Sequence, residues 1–391
     1  METAMTRLIR SLPLLLATAL PLAACGDNGD DAGDDDDAPD AAVAPDADPA
    51  TPTARVAVVA SDFTSGVFST IDAPSLAVDA AAVAGVASAD PVIRRHGDEL
   101  FIVNRFGFDN VTILDAATLT LVTQISTGEG SNPQDVAVVG DKLYVAALGA
   151  DGIRVIDRDA PTEIDSIDLT KLDGDGVPDC MSVHAVGDRV FAACGLLDNF
   201  VADQVGKVVV IDTTTDTVET TFDLPARNPA GLLEQAPAGS AYAGDLLLAT
   251  VPDYVDYATG CLVRISTGDT PAATCGPTNL ALGGFVTRVG FAGDVTWVIA
   301  AAFSPSFEST GALHAIDAEG TVGAAATGAA VVAQDLAVCG DYLFVADKAT
   351  TGEGVRVFAH DGETVSELTT DVLDVGTTPI AGNGLACADA P

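Results

Sequence analysis

Asp135-Val136-Ala137-Val138-Val139-Gly140-Asp141-Lys142-Leu143-Tyr144-Val145-Ala146-Ala147 is two short β-rich runs around a Gly-Asp pair. Glycine takes φ > 0 without steric cost, and Asp bonds its own backbone locally. The stretch therefore reads as an antiparallel hairpin. Its centre recurs as Gly97-Asp98-Glu99-Leu100-Phe101, Gly187-Asp188-Arg189-Val190-Phe191 and Gly244-Asp245-Leu246-Leu247-Leu248. Two more copies are Gly293-Asp294-Val295-Thr296-Trp297 and Gly340-Asp341-Tyr342-Leu343-Phe344. Successive glycines lie between 43 (Gly97 to Gly140) and 57 (Gly187 to Gly244) residues apart, the period of a repeat architecture.

The residue three places after each Asp (Phe101, Tyr144, Phe191, Leu248, Trp297, Phe344) holds one fixed slot on the second strand. A mostly aromatic slot reads as packing between neighbouring sheets, with a ligand-stacking platform as the alternative. A third strand follows in each unit, ending in Ile71-Asp72, Leu114-Asp115, Ile156-Asp157, Ile211-Asp212 or Ile316-Asp317, with Ile265-Ser266 and Phe358-Ala359 as divergent versions. A fourth strand comes next, as in Thr120 to Ile125, and Pro91, Pro133, Pro178, Pro229 and Pro379 precede the next first strands. Proline is tolerated at a strand start, where it need not donate to the ladder. Four antiparallel strands per unit make a propeller blade.

Phe101-Ile102-Val103-Asn104-Arg105 leading to Asn110-Val111-Thr112-Ile113-Leu114-Asp115 resembles the YVTN-type β-propeller repeat. So does Leu143-Tyr144-Val145-Ala146-Ala147 leading to Ile153-Arg154-Val155-Ile156-Asp157. The resemblance implies a propeller in an extracytoplasmic setting and says little about chemistry, because fold does not set function.

The first unit, residues 55 to about 83, starts on a second strand with no hairpin partner before it. The last stretch, Ile380-Ala381-Gly382-Asn383-Gly384-Leu385-Ala386-Cys387-Ala388-Asp389, matches a first strand with nothing after it. The expectation is an all-β, seven-bladed propeller whose C-terminal strand completes the first blade, with six or eight blades as alternatives.

The chain of 391 residues is 48% hydrophobic but only 5% aromatic. Its apolar runs are short, rich in Val and Ile, and cut by Gly, Asp and Thr, which favours strands over helices. A net charge of −40, from 57 acidic and 17 basic residues, repels phosphate backbones and excludes nucleic acid as a partner. It fits an acidic secreted surface, and it also fits attraction of divalent cations.

Arg7 and Arg10 precede the apolar run Leu12 to Leu22, which is too short to span a bilayer and holds two prolines. The run ends Leu22-Ala23-Ala24-Cys25-Gly26, which resembles the lipobox of bacterial lipoproteins. That resemblance implies a signal peptide over 1–24, acylation of Cys25 and a stable multi-chain anchor; a secreted protein with a chance Cys is the alternative. Residues 25–54 are mostly Asp, Ala, Pro and Gly, with Asp34-Asp35-Asp36-Asp37 the densest charge run. They read as an extended acidic tether, and 55–391 as the propeller.

Seven cysteines less Cys25 leave six, an even number in an oxidising compartment. Cys261 and Cys275 flank Gly268 symmetrically in a third-to-fourth-strand hairpin and are expected to face each other. Cys180 and Cys194 flank Gly187-Asp188 one residue out of register, so a three-residue loop with a bulge is expected to align them. Cys339 and Cys387 pair by elimination, across the closure.

Leu172-Asp173-Gly174-Asp175-Gly176-Val177-Pro178-Asp179 resembles Asp-rich calcium loops. Asp173, Asp175 and Asp179 are the candidate ligands, with a solvated Asp-Gly loop as the alternative. His96, His184, His314 and His360 are scattered and read as structural. No other cofactor is implied. The expected role is a lipid-anchored binding or scaffold protein of the bacterial envelope, at the outer membrane, with envelope proteins or polysaccharide as partners. The alternatives are a channel enzyme (lactonase-like hydrolase or quinone-type dehydrogenase) and a surface-layer or adhesion module. First strands such as Asp335-Leu336-Ala337-Val338, mostly Ala, Val and Gly, argue against a polar catalytic funnel.

Overall fold

A computed structural model of the chain describes residues 51–391 apart from 350, 351, 363 and 381. Cys25, the signal segment 1–24 and nearly all of the 25–54 tether lie outside the described residues.

The body is a seven-bladed propeller of four-stranded antiparallel sheets. The chain enters at β1 (Ala54–Ser61), β2 (Gly66–Ala73) and β3 (Val78–Asp79). Blade two is β4 (Pro91–His96), β5 (Glu99–Asn104), β6 (Asn110–Asp115) and β7 (Leu121–Ser126). Blade three is β8 (Pro133–Val139), β9 (Lys142–Ala147), β10 (Gly152–Asp157) and β11 (Ile164–Asp168). Blade four is β12 (Cys180–Val186), β13 (Arg189–Cys194), β14 (Lys207–Asp212) and β15 (Thr217–Asp223). Blade five is β16 (Pro229–Gln235), β17 (Leu246–Thr250), β18 (Cys261–Ile265) and β19 (Ala273–Thr278), followed by the one-turn helix α1 (Asn279–Leu282). Blade six is β20 (Phe285–Ala292), β21 (Val295–Phe303), β22 (Ser309–Ile316) and β23 (Val322–Ala325). Blade seven is β24 (Ala333–Cys339), β25 (Tyr342–Asp347), β26 (Gly354–His360) and β27 (Val365–Glu367). Finally β28 (Leu385–Ala388) returns to β1, pairing Arg55 with Ala388 and Val58 with Leu385, and so supplies the first strand of blade one.

Five Gly-Asp pairs make two-residue hairpin turns, with glycine φ of 57° to 63° at Gly97, Gly140, Gly187, Gly293 and Gly340. A glycine with φ > 0 at the first central position matches the twist of the flanking strands. The sixth pair differs. Gln235 is opposite Leu246, so Gly244-Asp245 closes a loop of residues 236–245. That insertion shifts the slot. Leu247, opposite Arg264, is the register equivalent of Phe101, and Leu248 is one residue beyond it. Leu247 packs toward blade six, whereas Leu248 packs back toward blade four.

The slot residues are buried between sheets: Phe101, Tyr144, Phe191, Leu247, Trp297 and Phe344. In blade one Ala57, opposite Thr70, takes the place. Their packing against the next blade supplies the cores of the ring. The Ile-Asp signature also has a cause. Asp115 Oδ1 accepts from the Ala117 and Thr118 N–H groups, and Asp212 Oδ1 from Thr214 N–H, so these carboxylates shape the third-to-fourth-strand turns.

Three disulfides join Cys180 to Cys194, Cys261 to Cys275 and Cys339 to Cys387. They indicate an oxidising, extracytoplasmic location. Two reach their partners differently from the expectation. The β12–β13 loop has two residues, and the bulge that aligns Cys180 with Cys194 lies inside β12. Cys275 is opposite Val263, so Cys261 is bridged diagonally across a bulge in β19. Cys339–Cys387 joins blade seven to β28, with a Cα separation of 5.5 Å.

Candidate functional site

The first strands of the blades line the central channel, and their inner edges need partners for their N–H groups. First strands rich in Ala and Val, such as Asp335-Leu336-Ala337-Val338, nonetheless place a line of charged side chains in the channel. Arg94 on β4 makes a bidentate pair with Asp135 on β8, at 2.8 and 3.1 Å. It also reaches Glu234 on β16, across the channel, at 2.8 Å. Glu234 is 3.2 Å from Arg288 of β20, whose Nε lies 3.8 Å from Asp335 on β24. The result is an alternating ladder: Asp135, Arg94, Glu234, Arg288, Asp335.

The two aspartates also bolt neighbouring blades together. Asp135 Oδ2 accepts from Ser182 Oγ (2.5 Å) and from Val183 N–H (2.9 Å) on β12. Ser182 Oγ in turn accepts from Leu233 N–H (2.8 Å) on β16. Asp335 Oδ2 accepts from Gly384 N–H (2.6 Å) and Leu385 N–H (2.9 Å) at β28, which is the seam of the ring. Each of these side chains satisfies the exposed edge of the next blade's first strand.

The reason sequence periodicity missed the ladder is a set of β-bulges. Register shifts fall between Pro133 and Asp135, Cys180 and Ser182, Ala230 and Glu234, Val286 and Arg288, and Ala333 and Asp335. A bulge breaks the period of two and re-aims the side chain that follows it.

Asp135 and Asp335 hold equivalent places and titrate oppositely. Burial pushes both upward. At Asp135 the bidentate Arg94 outweighs burial and holds the carboxyl below its ordinary value of 3.8. Arg288 is too distant to do this for Asp335, which is pushed up to about 6. Asp335 therefore contributes stability that is complete below 3.8 and lost as pH rises through about 6. Asp135 contributes stability present above 3.8 and lost as pH falls through its lowered value. Carboxyl carbon NMR of the folded protein is expected to show Asp335 titrating near 6 and Asp135 still ionised at 3.8. Coincident midpoints would contradict the unequal pairing.

Recesses lie on either side of the ladder. One of about 450 Å³ is on the Gly-Asp turn side, lined by Arg95, Arg288, Phe291 and Val338 among others. One of about 190 Å³ is on the opposite side, lined by Tyr254, Phe285, Phe303, Gln334 and Asn383 among others.

All four histidines contact backbone carbonyls: His96 with Val136, His184 with Leu233, His314 with Gly323 and His360 with Gly340. Burial, with Arg94 nearby, pushes His184 down to about 4. Ser182 is committed to Asp135 and Leu233, not to His184. The Asp-rich loop turns its carboxylates onto backbone. Asp173 accepts from Gly174 N–H and Gln204, Asp175 from Val177 N–H, and Asp179 from Leu197 N–H. Among the described residues no group of three or more His, Cys, Asp or Glu side chains is arranged to hold a metal ion. Burial, with Asp175 and Asp173 nearby, pushes the Asp179 carboxyl up to about 6.

Comparison with known proteins agrees with this architecture. The LVIVD repeat model matches residues 332–350, which hold β24, its turn, β25 and Asp335. The chain is a repeat β-propeller. A solved protein from Lactobacillus plantarum is similar at 14% identity and a TM-score of 0.55, covering 86% of this chain and 99% of its own. AztD from Citrobacter koseri is similar at 12% identity and a TM-score of 0.50, covering 87% and 99%. Likeness at this identity shows the fold alone. No curated protein matches the sequence.

Proposed function

We propose that this repeat propeller is a binding or scaffold lipoprotein of the bacterial envelope, of YVTN type, acylated on Cys25 and held at the outer membrane by an acidic tether over 25–54. The observation that carries the binding reading is the ladder. The channel's charged side chains are paired with one another and with first-strand backbone, which suits a rigid platform. The disulfides support an oxidising compartment, and the sequence Leu22-Ala23-Ala24-Cys25-Gly26 supports acylation. The anchor is tested by metabolic palmitate labelling in a Gram-negative host. The native chain is expected to carry label and sediment with membranes, and Cys25→Ala to lose both. An unlabelled, soluble native chain would refute the anchor. Crosslinking on intact cells, followed by purification of the native chain, is expected to retain defined envelope neighbours; recovery of the chain by itself would refute the scaffold role.

A further inference from the structure

The strand-two-to-three connections of all blades open on one face of the ring, because every blade has the same strand order. On that face stand Phe63, Phe106, Phe108, Phe200, Tyr254 and Phe307, one or two each on the loops of blades one, two, four, five and six. They are the only exposed aromatic rings among the described residues. Phe63, Phe106, Phe200 and Phe307 are 73 to 78% exposed, whereas the aromatic rings in the slot are 0 to 1% exposed. Every exposed aromatic ring among the described residues is thus on this one face, while the others are buried or half-buried.

Those four phenylalanines also share a backbone conformation, with φ of 61°, 50°, 64° and 63°. A bulky residue with φ > 0 is an outlier that the surroundings must enforce. Hydrogen bonds hold it at three of the four. Phe63 N–H donates to Ser61 Oγ, Phe106 N–H to Asn132 Oδ1, and Phe307 N–H to the Ser304 carbonyl. The loops are fixed while the rings stay out of the core, which favours pre-organised contact with something else.

The charges beside the rings choose among occupants. Asp62, Asp198, Asp203, Asp253, Asp256 and Glu308 are exposed on the same loops. The basic residues of these loops are Arg105, paired with Asp90 at 2.6 Å, and Lys348. An acidic face repels a second copy of itself and an anionic lipid surface. It attracts a cationic surface, and phenyl rings need apolar pockets to fill.

We propose that this face docks a basic protein whose surface offers apolar pockets between its cations. The proposal rests on the binding reading above and adds to it the surface used and the chemistry of the partner. The probe is a fluorescein-labelled amphipathic Leu/Lys helical peptide, with oligolysine of equal charge as comparison. The complete chain carries Cys25→Ser, so that lipid attachment does not affect the result. Anisotropy is expected to show peptide binding that weakens with added NaCl. The triple variant Phe106→Ser, Phe200→Ser, Phe307→Ser is expected to bind the peptide at least about tenfold more weakly, about 1.4 kcal/mol. It should bind oligolysine as the parent does and melt at the same temperature. Equal peptide affinity in parent and variant would overturn the proposal. So would flotation of the parent, but not the variant, with phosphatidylcholine vesicles, which would assign the face to lipid. If peptide binding is equal but crosslinked envelope neighbours persist in the variant, the binding reading stands and this assignment of its surface falls.

Discussion

Ending the chain at Asn383 is expected to prevent formation of the closed ring. The deletion removes β28 and uncovers the edge of β1, where Val56, Ala57 and Val58 are fully buried. It strips Asp335 of its Gly384 and Leu385 donors, leaving a buried carboxylate with less compensation, a change that costs several kcal/mol. Burial of Leu385 contributes about 1.5–3 kcal/mol more, and the Cys339–Cys387 bond about 2–5 kcal/mol. Together these rival the ~5–15 kcal/mol that holds an ordinary domain folded. Size-exclusion chromatography and near-ultraviolet circular dichroism are expected to show aggregated protein without fixed aromatic packing. The double variant Cys339→Ser, Cys387→Ser keeps β28 and is expected to stay folded with a lower denaturation midpoint. A truncated chain that remains monomeric and unfolds cooperatively at the full-length midpoint would show that β28 is dispensable.

The second large effect is expected at Arg94→Met. Arg94 neutralises Asp135, which is fully buried, and crosses the channel to Glu234. Removing one partner of a buried pair costs about 3–5 kcal/mol, because the other charge is left uncompensated. Urea unfolding at pH 7.5 is expected to show that loss as a lowered midpoint with an unchanged slope. The variant also acquires a pH signature. Without Arg94, burial dominates at Asp135 and its folded value rises above 3.8. A carboxyl with a raised folded value favours the folded state when protonated, so the deficit of the variant narrows as pH falls toward 4. Arg94→Lys should fall between the two, since an ammonium cannot reproduce the two-pronged contact. A deficit independent of pH would mean that Asp135 keeps its charge without Arg94.

The fold was legible because its determinants are local and repeated. Gly-Asp turns, the slot from Phe101 to Phe344 and the Asp115-type turns depend on neighbours a few residues away, and each recurs. Closure was legible from a C-terminal first strand with no partner in its own neighbourhood. Blade five was misread by one position because an insertion before Gly244 leaves the Gly-Asp pair intact while changing the register around it. The ladder was not legible for a related reason. Asp335 and Asp135 follow bulges, so alternation along the strand could not say which way they point, and their partners are more than 40 residues away or across the ring. The aromatic tips left no periodic signal, since loop residues carry no alternation. What marks them is the contrast between Phe106 in solvent and Phe101 in the core, five residues apart, and only coordinates show it.

The way the polypeptide enters the ring has a mechanical consequence. The N-terminal segment joins β1 at Ala54, on the Gly-Asp turn side, and β1 lies between β2 and β28 rather than at a sheet edge. Tension applied through residues before Thr51 would run along β1 and shear both ladders at once, eight residue pairs with β2 and four with β28. The force would pass from β28 through Cys387 to Cys339 in blade seven, so a pull at Ala54 is shared by two blades. The phenylalanine-tipped loops stand on the face opposite the one at which β1 begins.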